Sequence, residues 1–358
     1  VTSVDANRLA RALSPGRARL DRGGGAPQHW RASAIRRSIV VTPSEPLPAL
    51  RARPFVAAFL ATRPAFLGVT LCACLIGLAV AHGSGLPIDA ARAALTVLFA
   101  LLAHAGINVL NDYFDARSGA DAANVERVFP FTGGSRFIQN GVLSEAETAR
   151  LGWGLLLPVV PAGLWLAWQA GPGLIVIGLA GLLIGWAYSA PPLALASRGL
   201  GEAAVAAGWL LVVVGSDYVQ RGAFALAPLQ AGLSYALLVA AILFINEFPD
   251  RRGDAAAGKR TLVVRLGPDG AKWAWLGLVL AAYGWLVLMV GRGYLPQGAA
   301  AAALTLILSF RAARSLLAHA SEPSELAPAL RLTIAAAHLH GLVLAATLAL
   351  GRWPGAMT

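Results

Sequence analysis

Long apolar runs dominate this chain, and each is about the length of a helix that crosses a lipid bilayer. Polar backbone groups inside a bilayer must be satisfied within their own segment, so runs of this length predict helices rather than open strands. Only 13% of the 358 residues are charged, against about 25% in soluble domains. The sequence therefore predicts an all-α integral membrane protein with nine transmembrane helices, placed near 64–82, 91–111, 149–168, 172–190, 201–219, 227–247, 272–290, 298–317 and 332–350.

The first 53 residues differ from the rest because they carry ten arginines and only three acidic residues. This composition predicts a basic, poorly ordered tail over 1–53, followed by the transmembrane domain over 54–358. The tail has no apolar core of the length that a secretory signal needs. An organellar transit peptide, a bacterial extension and a misassigned gene start all remain compatible with it. The net charge of +11 is spread between apolar runs, so it does not indicate a nucleic-acid partner.

Basic residues between the predicted helices are distributed unevenly, and this indicates how the chain is oriented. If the tail is cytoplasmic, its side of the membrane holds Arg117, Arg127, Arg136, Arg198, Arg251, Arg252, Lys259, Arg260, Arg265, Arg311, Arg314 and Arg331. The opposite side holds little beyond Arg221, Arg292 and Arg352. Since cytoplasmic loops are enriched in Lys and Arg, the bias predicts a cytoplasmic N-terminus.

Two similar polar segments interrupt the apolar pattern, NDYFDARSG at 111–119 and NEFPDRRGD at 246–254. The matching pairs are Asn111 and Asn246, Asp112 and Glu247, Tyr113 and Phe248, Asp115 and Asp250, and Arg117 and Arg252. One segment closes the second predicted helix and the other closes the sixth, so both are predicted at the cytoplasmic face. The proline at 249, which only the second segment has, predicts a bend or an end of the sixth helix.

Helical spacing places the polar residues of each segment along one side of its helix. The two rows are Asn108, Asp112 and Asp115 in the second predicted helix, and Asn246, Asp250 and Asp254 in the sixth. Ionisable groups at membrane depth usually face a polar cavity, and two facing acidic rows repel each other unless a cation lies between them. Carboxylate and amide oxygens suit Mg²⁺, whose coordination is often completed by phosphate oxygens. The two rows therefore predict an Mg²⁺ site that binds a diphosphate.

Three basic residues near these segments are candidates for holding the diphosphate. Lys259 and Arg260 closely follow Asp254, and cations beside a metal commonly neutralise a leaving phosphate. Arg136 follows two glycines in TGGSR, a loop whose backbone N–H groups are expected to approach an anion.

The segment YSAPPLALASRGLGE at 188–202 contains two adjacent prolines and a Gly-x-Gly, which predict a structured loop on the same face. Tyr188, Ser189 and Arg198 are candidates for lining a pocket there, although a plain turn between helices explains the segment equally well. Acidic residues at helix ends are also commonly just solvated. Duplication of the whole acidic pattern is what favours a functional site.

Four segments together resemble the UbiA superfamily of intramembrane aromatic prenyltransferases. They are NDYFDARSGAD, TGGSRFIQNGVLS, YSAPPLALASRGLGE and NEFPDRRGDAAAGKRTLVVRLG. The resemblance covers about residues 55–350, and it is strongest to the branch that prenylates 1,4-dihydroxy-2-naphthoate in menaquinone synthesis. It implies nine transmembrane helices around a central cavity.

The resemblance also implies roles for individual residues. The family's first motif ends in an acid where this chain has Gly119, and Asp121 is the expected substitute. The implied catalytic residues are Asp112, Asp115, Asp250 and Asp254, and these four together with Asp121 are the implied metal ligands. The expected substrate-binding residues are Asn108, Asn111, Arg136, Tyr188, Arg198, Asn246, Lys259 and Arg260.

The implied activity is transfer of a polyprenyl group from its diphosphate to an aromatic acceptor, with Mg²⁺ as cofactor. Ionisation of the donor would give an allylic cation that the acceptor ring attacks, and a naphthoate acceptor would lose its carboxylate. Acceptors such as 4-hydroxybenzoate and homogentisate remain open. A CDP-alcohol phosphotransferase would carry a contiguous D-G-x-x-A-R signature, which is missing, and a secondary transporter would carry charges nearer the bilayer midplane. The expected location is a bacterial inner membrane, with the active site at its cytoplasmic face.

Overall fold

The computed structural model describes residues 44–353, and within this range all regular secondary structure is helical. The α-helices are α1 Pro54–Ala61, α2 Pro64–Gly83, α3 Ala90–Ser118, α4 Ala120–Ala123, α5 Glu145–Leu156, α6 Val159–Ala170, α7 Gly173–Ser189, α8 Gly201–Arg221, α9 Ala227–Ala256, α10 Leu262–Gly291, α11 Leu306–His319 and α12 Ala327–Leu350. Eight stretches of the described chain are long and apolar enough to cross a membrane, and α7 is a shorter apolar helix. Together they match the nine predicted spans, so the all-α membrane architecture is confirmed.

Three of the predicted spans are interrupted or displaced. The third consists of α5 and α6, which are separated at Pro158, and the eighth begins with a 3-10 helix at Gln297–Thr305. The seventh begins at Leu262, earlier than predicted, and α10 contains a break at Gly267 that the apolar pattern does not reveal. Gly267 precedes Pro268 and has a φ of 68°. A residue before proline is disfavoured in the helical region, and glycine accommodates the resulting bend.

The two motif helices continue well past the apolar part of their sequences. α3 ends at Gly119, whose φ of 78° is the left-handed conformation common at helix C-termini. α9 passes through Pro249 and continues to Ala256, so of the two predicted effects, a bend or an end of the helix, the end does not occur. Pro249 is buried within this continuous helix. Both motifs are therefore helical, as their predicted rows require.

The core is centred on α9. In its apolar stretch 72% of residues are buried, against 17% in the span that α5 and α6 form together. Buried hydrogen bonds join it to two neighbouring helices. Tyr235 of α9 donates to the Val69 carbonyl oxygen of α2 at 2.6 Å, and Trp275 Nε1 of α10 donates to the Ala241 carbonyl oxygen of α9 at 2.9 Å. The second motif therefore sits on a firmly packed helix. By contrast, α5, α6 and α7 present many exposed apolar side chains, which suit a surface that faces lipid.

The folded part of the chain begins before the predicted boundary at residue 53. A short 3-10 helix spans Pro48–Ala52. Glu45 pairs with Arg127 at 2.7 Å and accepts a hydrogen bond from Asn140 at 3.1 Å. These contacts with the loop after the first motif correct the predicted tail for residues 44–53, and the rest of that tail lies outside the described residues.

Candidate active site

The two motif helices converge at one end of the bundle. Lys259 Nζ lies 2.6 Å from Asp115 Oδ1 on α3 and 3.7 Å from Asp254 Oδ1 on α9. Asn124, just after α4, donates from Nδ2 to Asp250 Oδ1. Gly253 makes this second contact possible, because a Cβ there would lie 2.8 Å from the Asn124 Cα. The sequence after the first motif therefore folds directly onto the second.

The TGGSR loop contacts the acids of both motifs. The backbone N–H of Ser135 donates to both carboxylate oxygens of Asp112 at 3.3 Å, and that of Gly133 donates to Asp250 Oδ2 at 3.3 Å. Gly134 has a left-handed φ of 72°, and a Cβ on it would lie 2.6 Å from Asp121 Oδ2. The sequence predicts that this loop approaches an anion, and the anions it meets are carboxylates of the protein itself. The loop therefore orients the acids.

A polar cavity of about 120 Å³ lies between these elements. Its charged and amide side chains are Arg63, Asn111, Asp115, Asp121, Asn124, Asn246, Glu247, Asp250, Asp254 and Lys259. Three buried oxygens at this cavity have no hydrogen-bond partner, namely Asn124 Oδ1, Asn246 Oδ1 and Thr261 Oγ1.

The carboxylates of the cavity, together with these unpartnered amide and hydroxyl oxygens, form a donor set that fits a hard divalent cation such as Mg²⁺. As the side chains stand within residues 44–353, however, no three His, Cys, Asp or Glu groups converge closely enough to enclose an ion.

Charges at the rim of the cavity influence one another. Burial and the neighbouring carboxylates of Asp115 and Asp112 raise the pKa of Asp121 to about 8. Burial alone would lower the pKa of Lys259, but the carboxylates of Asp115 and Asp254 raise it further, so its pKa lies above the ordinary value. Lys259 therefore stays protonated at neutral pH, and the raised pKa of Asp121 favours its neutral form when no further cation is near.

The polar cavity adjoins a larger apolar one of about 450 Å³. Five residues line both cavities and form their junction: Arg63, Asn111, Tyr188, Leu243 and Asn246. The remaining wall comes mainly from apolar residues of α3, α6, α7, α8 and α9. A charged chamber therefore opens into a chamber suited to a hydrocarbon chain, within the ring of helices that the resemblance implies.

Most of the predicted site residues meet at these two chambers. Asp115, Asp121, Asp250, Asp254, Asn111, Asn246, Tyr188 and Lys259 all line the polar cavity. Asn108 lines the apolar one and donates to the Thr62 carbonyl oxygen at 3.1 Å. Asp112 is buried behind them against the Ser135 N–H and lines neither cavity.

Three basic residues predicted to bind substrate do not reach the cavities. Arg136 has a left-handed φ of 64°, which directs its side chain to the main-chain oxygen of Asp121. Arg198 donates to the Pro192 carbonyl oxygen at 2.7 Å, and Arg260 is exposed. These three residues are near the motifs in the sequence, but their side chains lie outside both cavities.

Arg63 is the main residue that sequence reasoning missed. It lies at the start of α2, donates to the Phe131 carbonyl oxygen at 3.1 Å, and lines both cavities. A lone arginine before an apolar helix is usually explained by membrane topology, so the sequence carried no clear signal. Asn124 was also missed, because no sequence pattern connects it with Asp250.

Comparison with known proteins identifies the relatives of this chain. A model of the UbiA prenyltransferase family matches residues 70–327. The 1,4-dihydroxy-2-naphthoate octaprenyltransferase of Mycobacterium tuberculosis is 32% identical over 271 residues, which cover 73% of this chain and 86% of that protein. The protein of the same name from Bacillus subtilis is 27% identical over 206 residues, and the match spans 56% of this chain and 63%, just under two thirds, of that protein.

A solved structure supports the shared fold. A UbiA homolog from Aeropyrum pernix superposes with a TM-score of 0.58 at 20% identity, over 77% of this chain and 96% of that one. The family match extends over more than half of the chain, and the chain therefore belongs to the UbiA prenyltransferase family.

Proposed function

We propose that this protein transfers a polyprenyl group from its diphosphate to an aromatic acceptor, with Mg²⁺ as cofactor. The observation that carries the proposal is the direct junction of the carboxylate-lined chamber with the apolar chamber. A prenyl diphosphate has the matching form, because its charged head and its apolar chain need opposite surroundings. The tail would lie in the apolar chamber and the diphosphate in the polar one.

The metal would be held by Asp115, Asp121, Asp250 and Asp254. When bound, it supplies positive charge that neutralises the diphosphate as the bond to the allylic carbon breaks. Asp112 has a supporting role in this arrangement, since it holds the Ser135 N–H and with it the TGGSR loop. The loop in turn donates to Asp250 through Gly133.

Lys259 and Arg63 are the cations of the polar chamber, and they would bind the diphosphate oxygens. Both are positioned from outside the motifs, one between α9 and α10 and the other at the start of α2. Charge stabilisation of a departing anion by fixed cations is the main catalytic contribution expected of such a site.

The junction residues would orient the reacting carbon and keep water from it. Asn111 is fixed by donating from Nδ2 to Ser189 Oγ at 2.8 Å. Tyr188 and Leu243 line both chambers where they meet. Excluding water matters because an allylic cation that meets water is hydrolysed instead of being transferred.

The acceptor we propose is 1,4-dihydroxy-2-naphthoate. The names of the two naphthoate relatives and the wording of the motifs support this choice. As the ring carbon forms its bond to the prenyl group, the carboxylate leaves as CO₂ and its electron pair restores the aromatic ring. Release of diphosphate balances the donor side. We place the active site at the cytoplasmic face of a bacterial plasma membrane, on the distribution of Arg and Lys.

The test uses purified protein in detergent with geranylgeranyl diphosphate, Mg²⁺ and a panel of aromatic acceptors. We expect diphosphate release that requires both metal and acceptor, and mass spectrometry should find a prenylated, decarboxylated naphthoate product. If naphthoate is inert while 4-hydroxybenzoate or homogentisate is prenylated, only the acceptor assignment fails. Release of no diphosphate with any acceptor would refute the proposed activity.

A further inference from the structure

A single lysine joins the two motif helices. Lys259 contacts Asp115 on one helix at 2.6 Å and Asp254 on the other at 3.7 Å. All three side chains are largely buried, with exposed fractions of 14%, 20% and 12%. Within residues 44–353, no other Lys or Arg forms an ion pair with an acid of either row.

The main chain fixes the base of Lys259 and leaves its side chain able to move. Its backbone N–H donates to the Asp254 carbonyl oxygen at 2.8 Å, and Gly258 before it has a left-handed φ of 77°. The ammonium group is carried on a flexible four-carbon chain. It can therefore leave the carboxylates by rotation of side-chain torsions, with no change in the helices.

The same oxygens cannot serve an ammonium group and a metal together, because two cations at such short separation repel strongly. Lys259 must therefore release Asp115 Oδ1 and Asp254 Oδ1 before these two oxygens can face a metal. Without another anion nearby, that release sacrifices the ion pair and opposes metal binding. With a diphosphate in the chamber, the ammonium group gains a new and more highly charged partner.

We infer that Lys259 is an exchangeable counter-ion, which neutralises the two acid rows in the free protein and transfers to the diphosphate when metal binds. The inference rests on the proposed function and extends it to the binding steps. Metal and diphosphate then strengthen each other's binding, and thermodynamic linkage requires the factor to be the same in both directions. A lysine that only held diphosphate would leave the affinity for metal alone unchanged.

The first test is the affinity for Mn²⁺ alone, measured by electron paramagnetic resonance on the whole chain in detergent. We expect Lys259→Gln to bind Mn²⁺ about tenfold more tightly than the unmodified protein, within the usual range of coupling between sites. In Mn²⁺-saturated protein, the same variant should bind inorganic pyrophosphate about tenfold more weakly. Unchanged or weaker binding of Mn²⁺ alone by Lys259→Gln would overturn the inference.

Lys272→Gln is the matched control, because Lys272 is the only other lysine in the sequence and pairs with Asp269 at 2.7 Å on α10. It should bind both ligands as the unmodified protein does. If it tightens Mn²⁺ binding as much as Lys259→Gln does, the effect comes from net charge and the inference fails.

A second measurement avoids any change at the site. With ¹⁵N-labelled lysine, the ammonium signal of Lys259 can be assigned by its persistence in Lys272→Gln. It should shift when Mg²⁺ is added and shift again with pyrophosphate. A signal that ignores Mg²⁺, in protein that still releases diphosphate from a donor, would overturn the inference and leave the proposed function standing. Protein that binds no divalent metal in any variant would overturn both.

Discussion

Gly253 marks the point where the second motif helix touches the segment after the first motif, and alanine at this position tests how close that approach must be. The added Cβ would lie 2.8 Å from Cα and 3.0 Å from N of Asn124. Ordinary contacts begin at 3.4 Å, so the two segments would have to separate by about 0.6 Å, the difference between 3.4 and 2.8 Å. Because the obstructing atoms belong to the main chain, no side-chain rotation relieves the contact.

The separation should reduce activity more than stability. Overpacking costs roughly 1–3 kcal/mol, but alanine is favoured over glycine by about 1 kcal/mol inside a helix. The net loss of unfolding free energy is then at most about 2 kcal/mol. The same shift moves Asn124 away from Asp250, whose carboxylate it holds. Since a misplacement of about 1 Å can cost roughly 100-fold in rate, we expect diphosphate release to fall about 10- to 100-fold.

Gly277→Ala on α10 is the matched control, because it adds the same methyl group where no atom lies within 4 Å. It should retain full turnover with an equal or slightly higher melting temperature. Diphosphate release and thermal unfolding would be measured on both variants in the same detergent. Full activity in Gly253→Ala would refute the reasoning that Asp250 is positioned through this contact, as would a loss of folded protein large enough to explain the lost activity.

Three further tests address the metal site, the apolar cavity and a structural ion pair. Asp115→Ala and Asp250→Ala should each abolish turnover while gel-filtration volume and helical content stay the same, and near-normal diphosphate release by either would contradict the metal role. Gly181→Leu fills open space at the wall of the apolar cavity. The amount of product measured by mass spectrometry should therefore fall several-fold more with a long polyprenyl donor than with geranyl diphosphate. Equal losses with the two donors would argue against binding of the tail in this cavity. Asp217→Asn weakens a two-bond contact with Arg221 at 2.7 and 2.8 Å, which should cost about 1–3 kcal/mol of unfolding free energy, and an unchanged melting temperature would show that the pair contributes nothing.

The membrane spans were predictable because a bilayer leaves the backbone few alternatives to the helix. Where the helices break was not predictable from composition. Pro158 separates α5 from α6, whereas Pro249 lies inside α9 without ending it. Pro249 is buried in the most enclosed helix, and Pro158 is only half-buried. The two prolines differ in burial, which a single sequence does not display.

The acids of the candidate site were predictable because duplication marks them, but their partners were not. Asp250 and Asp254 both line the polar cavity, as the row on α9 predicts. Arg136 follows two glycines in a loop that suits an anion, yet its own left-handed backbone directs it to the Asp121 carbonyl oxygen. Asn124 has no counterpart in the repeated pattern. It reaches the site only because the chain after α4 folds back over α9, a long-range contact with no local signature.

The repeated motif gives both helices the same order of groups, and this order has a chemical consequence. Asn111 and Asn246 line the junction of the two cavities, and Asp115 and Asp250 follow four residues, or about 6 Å, further along each helix. In the proposed reaction, neutral amides would therefore face the allylic carbon while carboxylates stay on the diphosphate side. A carboxylate at the junction would be a nucleophile beside a developing carbocation, whereas an amide offers only its dipole. In that reaction, the repeated order of asparagine before aspartate would keep the metal-binding carboxylates away from the allylic carbon until the acceptor ring attacks it.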